Sequence, residues 1–306
     1  MLIDAMLILL IGAVILLLPL NGAYRTRLRR RLAKQSGATV PPEQSKALET
    51  RVTRQSLMTG AAILVAGLVV LALDRLWEVA GANFILVTFL AGAAGHALAD
   101  ILWPNTAGPG PRTARATATT AAHYVPTSFR VTAWATLGTG LVAVVGTLLL
   151  ARTEFFDRNT ILSSSVPAYA VGLVLVVLLV QWATHRVLRA PQPARDQVEL
   201  YWQDALRAQT LSRLGTIPPV LGTLACLSSS NALWSAAWAT SPPGGPPPPT
   251  WALWSCIGLA ALPFAVVLAG AVVTAARRDA WNEFQHVRRA LWDGVAPDPR
   301  TQEVDA

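Results

Sequence analysis

From Leu214 to Ala276 the chain runs 63 residues without a single Asp, Glu, Lys or Arg. A bilayer core takes roughly 20 consecutive apolar residues per helix, so this run is about three times one span. Its middle, Ser-Pro-Pro-Gly-Gly-Pro-Pro-Pro-Pro-Thr at 241–250, holds six prolines. Each lacks an N–H and clashes with the preceding turn, so no helix passes through. The run divides into two spans, near Leu214–Trp234 and Trp251–Ala276.

The same search finds charge-free windows at Ala5–Tyr24, Leu57–Leu73, Val79–Ala99, Val131–Ala151 and Asn159–His185, giving seven candidate spans. Any one short window would suit a buried core helix. The set does not, because 53% of the chain is hydrophobic and only 14% charged, against about 25% charged in a soluble domain. The expected fold is all-α, a polytopic transmembrane helix bundle. The first window lacks the basic n-region and small-residue cleavage site of a signal peptide, opening instead with Met-Leu-Ile-Asp. It reads as a retained span; six would remain if it were cleaved.

Lys and Arg collect in cytoplasmic loops. Placing the basic segment 25–56 inside, with the N-terminus outside and the C-terminus cytoplasmic, puts 22 of the 25 basic residues on the inner face. The net charge of +8 is therefore an orientation signal rather than the mark of a nucleic-acid binder. The tryptophans agree, since none falls at an expected bilayer centre and Trp belongs at the headgroup level. The resulting map is span 1–24, a basic cytoplasmic segment 25–56, and a six-span bundle 57–276. The bundle reads as three hairpins (57–103, 131–188, 214–276) with cytoplasmic loops at 104–130 and 189–213. A cytoplasmic amphipathic helix and tail follow at 277–306. The three hairpins admit a degenerate triplication, but arginines at helix entries explain the likeness without one.

Two cytoplasmic stretches have helical periodicity. Arg195–Leu211 sets Val198, Trp202, Ala205 and Leu206 on one face, and Arg277–Trp292 sets Trp281, Phe284, Val287 and Leu291 on another. Such helices either lie in the headgroup plane or extend spans 5 and 7 inward and pack on each other. Small residues suited to close helix contact recur at Gly60, Ala66, Gly67, Gly92, Gly95, Gly138, Gly140 and Gly146. Pro218, Pro219 and Pro263 are expected to kink spans 6 and 7.

Chemistry is sparse. His96 and Asp100 stand one turn apart on the third span and form the candidate polar pair in the membrane, where an ionisable residue marks a site by default. The remaining histidines, His123, His185 and His286, lack ligand spacing. Phosphate-loop, His-Glu-x-x-His and nucleophile-elbow motifs are absent. Nothing in the sequence calls for a metal or a cofactor, and the balance leans away from an enzyme. Cys226 and Cys256 read as small apolar fillers, though a bridge between the last two spans is geometrically open. The strongest local signal is Arg25, Arg27, Arg29, Arg30, Arg31 and Lys34, six cations in ten residues beside a span. They form a candidate contact with anionic headgroups, each worth about 1 kcal/mol.

The expectation is a multi-pass protein of the cell (inner) membrane, a non-enzymatic scaffold or accessory protein. Its basic segments would contact lipid headgroups, a protein partner or a second copy, and not nucleic acid. A small-molecule transporter or channel lined by His96, Asp100 and the kinked spans is the alternative, with a membrane-embedded enzyme behind it. Arginine outnumbers lysine 23 to 2, a composition that suits a bacterium of GC-rich genome.

Overall fold

The structure is a computed structural model describing residues 2–38, 42–77, 84–103, 119–192, 194, 196–241, 247–276 and 282–297. Every regular element among them is a helix: α1 (Leu2–Leu17), α2 (Gly22–Ser36), α3 (Pro42–Trp77), α4 (Phe84–Leu102), α5 (Ala121–Tyr124), α6 (Thr127–Leu150), α7 (Arg158–Ser163), α8 (Val166–Arg189), α9 (Gln197–Ala239), α10 (Thr250–Ala276) and α11 (Glu283–Leu291). Five stretches are long and apolar enough to cross a membrane, at Ser45–Ala72, Ile85–Leu102, Thr127–Leu150, Val166–Arg189 and Thr250–Ala276. A sixth is available if α1 and α2 count as one bent span. That is what a multi-pass membrane protein would have, but one or two short of the seven expected.

The window expected as the sixth span, Leu214–Trp234, lies in α9, which is not among these stretches. The 43 residues of α9 run about 64 Å at 1.5 Å per residue. They join most of the amphipathic stretch expected at 195–211 to the window 214–234 in one helix. Much of the loop expected at 189–213 is therefore helix, and the amphipathic stretch continues into the window 214–234 rather than out of α8. Pro218 and Pro219 sit inside this continuous helix. Its apolar density is diluted by Thr223 and by Ser228, Ser229, Ser230 and Asn231. The reason is position: α4, α6, α8 and α10 all pack on α9, so its surface meets protein where theirs meets the surroundings. The outer helices carry the apolar surface instead. α10, the most apolar of the five, is also the least buried, and Val142, Val171, Leu178, Leu179 and Leu268 all stand more than half exposed.

Other boundaries shift for local reasons. The first apolar helix stops short of Tyr24, because Pro19 sits in a tight turn over Leu18–Leu20 and Asn21 starts a new helix. The Asn21 side chain accepts the Ala23 N–H at 2.9 Å, and the chain bends by 89° between the two helices. α1 and its turn together still rise about 30 Å, enough for one hydrocarbon core. The window 159–185 breaks at Ser164–Ser165 into the short α7 and the long α8. The basic segment 25–56 is mostly helix, α2 and the first turns of α3. In the loop expected at 104–130, α5 and the start of α6 are formed; residues 104–118 lie outside the described residues. So do Trp281 and the tail from 298.

Close helix approach falls at some of the expected glycines and not at others. A Cβ on Gly222 would come 2.3 Å from the Thr136 carbonyl oxygen, and one on Gly140 2.7 Å from Gly222 Cα. The α6–α9 crossing therefore depends on two bare backbones meeting. Gly60 and Gly95 have the same role against α1 and α3. Gly138 and Gly146 face open space, a correction to the packing role expected of them. α6 packs far more on α9 than on α8. Cys226 and Cys256 are free and buried.

At the arginine-rich end the helices build a second core beyond the bundle. Leu32 of α2, Leu48 and Val52 of α3, Val198, Tyr201, Trp202, Ala205 and Leu206 of α9, and Phe284 of α11 are all buried there. The apolar stripe of α11 thus faces protein: Phe284 and Val287 are buried, and His286 Nε2 lies 2.9 Å from the Ala122 carbonyl of α5. Asn282 caps α11 by accepting the Phe284 N–H at 3.0 Å.

Candidate functional site

The polar pair expected on the third span is in the last two turns of α4, and the structure separates its members. Asp100 is committed to other helices. Its carboxylate lies 2.9 Å from an Arg51 guanidinium nitrogen, and the Gln55 amide donates to both oxygens at 3.0 Å. The Thr210 hydroxyl of α9 donates to Oδ2. Arg51 and Gln55 are one turn apart on α3, so both reach the same acceptor. Arg51 also donates to the Leu206 carbonyl at 3.4 Å. Asp100 is thus the knot joining α3, α4 and α9, with its acceptor capacity taken up by protein donors. No hydrogen bond links it to His96 among the described residues; the Nε2 of His96 is buried without a partner.

A second carboxylate knot lies on α9. Asp204 is fully buried and accepts from the Tyr124 hydroxyl at 3.0 Å, the Gln192 amide at 3.0 Å and the Trp292 indole N–H at 3.1 Å. It gathers α5, the link after α8, α9 and the residue after α11. Arg207, one turn along α9, lies over the Tyr124 ring at 5.7 Å and donates to the Ala190 carbonyl. Burial, and then the neighbouring Asp204 charge, push the Tyr124 phenol above its ordinary value. The Tyr201 phenol is also raised, by burial, and it donates to the Ser36 carbonyl at the end of α2. The clue in the sequence is Asp204 lying three residues before Arg207, between the apolar residues Tyr201, Trp202, Ala205 and Leu206. The distant partners Tyr124, Gln192 and Trp292 leave no such clue.

The six cations of α2 divide in two. Arg25 pairs with Glu49 at 3.0 Å and Arg29 donates to the Ser45 hydroxyl, both on α3. Arg27, Arg30, Arg31 and Lys34 stand exposed on the opposite side, while Leu28, Leu32 and Ala33 pack inward. The helix ends at Gly37, whose φ of +71° is the left-handed cap that glycine adopts without strain. Two of the predicted headgroup contacts are therefore anchored within the protein and four are left facing out.

What the arrangement can do follows from those commitments. The two buried carboxylates are hydrogen-bond acceptors with their donors already supplied, which makes them ties between helices. α2 alone holds four exposed cations, Arg27, Arg30, Arg31 and Lys34. No family model, characterised protein or solved structure matches the chain.

Proposed function

We propose that the chain is a seven-span protein of the cell (inner) membrane, with its N-terminus outside and its C-terminus cytoplasmic. In this reading α1, the five long apolar helices and the far half of α9 cross the bilayer. The protein is a non-enzymatic scaffold or accessory protein, and its cytoplasmic cap meets anionic headgroups or a protein partner. The observation that carries this is the division of charge at the basic end. Asp100 and Asp204 are consumed by internal ties, while Arg27, Arg30, Arg31 and Lys34 project from a helix set at 89° to the first span. With α1 across the bilayer, α2 lies along its surface, where such cations gain most.

One experiment in native membranes tests both face and contact. A photo-crosslinking residue at position 31 is expected to capture phospholipid or a protein partner, well above the same probe at exposed Thr153 at the other end of the bundle. In parallel, Lys34→Cys is expected to react with an impermeant maleimide only after permeabilisation. Equal capture at the two positions would defeat the contact reading, and labelling of intact cells would reverse the orientation.

A further inference from the structure

A cavity of about 140 Å³ lies between α5, α6, α8 and α9, and neither Asp100 nor Asp204 lines it. A single water needs roughly 10–15 Å³ on this measure, so the space admits a group of several heavy atoms. Its polar wall consists of Arg130, Trp134, Gln181 and Thr184, and its floor includes Val125 and Pro218. Each of the four polar side chains offers a hydrogen-bond donor, and no acidic residue lines the cavity. None of the four makes a side-chain hydrogen bond or ion pair among the described residues. Four unspent donors with one fixed positive charge and no carboxylate suit an oxyanion, and a guanidinium suits phosphate in particular.

The surroundings say what carries that phosphate. Arg130 and Gln181 are exposed, so the cavity opens sideways between α6 and α8. Beside its mouth stand Val131, Leu178 and Trp182, each more than half exposed, and the Arg186 guanidinium lies 5.9 Å from the Trp182 ring. Aliphatic surface running away from a Trp- and Arg-rich rim is the pattern of a headgroup boundary. We infer that the cavity holds the phosphate of an anionic phospholipid whose acyl chains lie along α6 and α8. The inference rests on the membrane reading above, but on residues separate from the α2 cations.

The test is native mass spectrometry of the full chain in detergent, titrated with phosphatidylglycerol or phosphatidylcholine. The wild type is expected to retain phosphatidylglycerol selectively. Arg130→Gln, at an exposed position, removes a charge-assisted bond and should weaken retention by about tenfold or more; Thr184→Val should weaken it less. The quadruple glutamine variant at 27, 30, 31 and 34 should keep the bound lipid. Unchanged retention in Arg130→Gln overturns the site, as does equal retention of phosphatidylcholine. Displacement by soluble glycerol 3-phosphate at the same concentration would also overturn it, since the occupant would then be a small metabolite. Loss of lipid in the quadruple variant, with Arg130→Gln unaffected, would overturn this site and leave the α2 reading standing.

Discussion

The cap at the basic end and the outer faces of the bundle obey opposite rules within one chain. In the cap, large apolar side chains such as Tyr201, Trp202 and Phe284 are buried and four of the six cations of α2 face out. Around the bundle, Leu178, Leu268 and Phe264 face out, while hydroxyls such as Thr136 and Ser229 are fully buried. The first is how a chain folds against water and the second how it folds against hydrocarbon, where association relies on close packing rather than on apolar burial. α9 belongs to both, with its first turns in the cap core and its remainder as the bundle axis. The two regions should therefore fail in different ways when altered.

The largest expected effect is in the cap. Asp204→Ala leaves the Tyr124, Gln192 and Trp292 donors buried without an acceptor. At about 1–3 kcal/mol per orphaned group, the cap should lose about 3 kcal/mol or more. In chemical denaturation followed by tryptophan fluorescence, the variant is expected to show an early transition from the cap tryptophans with the bundle transition little moved. A single transition shifted as a whole would mean that cap and bundle are one cooperative unit, and the comparison would break.

Legibility in the sequence follows the same divide. The spans could be read because a bilayer imposes a long charge-free run, and Pro242–Pro249 could be read as a break because proline ends helices for local reasons. The continuity of α9 could not: Arg207 and Arg213 look like a loop boundary until one sees that α3, α4 and α11 cover that part of the helix. Nor could the fate of Asp100, since its partners Arg51 and Thr210 lie 49 and 110 residues away in the chain. Of the paired cations on α2, Arg25 and Arg29 recur at helical spacing, but the sequence does not say that α3 lies beneath them.

A smaller effect probes the bundle. Gly222→Ala forces a methyl against the Thr136 carbonyl, backbone against which nothing can rotate away. Overpacking of this kind costs about 1–3 kcal/mol and should lower the thermal midpoint in detergent. Gly138→Ala, two residues from Gly140 on the same helix but in open space, should be neutral or slightly stabilising, since alanine is the better helix former. Equal costs at the two positions would show that small residues here serve something other than the α6–α9 crossing.

The smallest and most selective effect is in pH. The Tyr124 phenol is held above its ordinary value by burial and by Asp204, so the folded cap keeps that proton over a range in which the unfolded chain has released it. Stability from this source is fully present below the ordinary tyrosine value of about 10 and is lost as pH rises through the raised value, because the unfolded state then binds fewer protons. The cap transition should weaken above about pH 10 while the bundle transition holds. Tyr124→Phe removes the titrating group, so its cap should be weaker at neutral pH but flatter in the alkaline limb. If that limb is equally steep in the variant, the alkaline loss comes from elsewhere, with Tyr201 the next phenol to replace. The same scan would then show whether the contact between α9 and the end of α2 is what fails first.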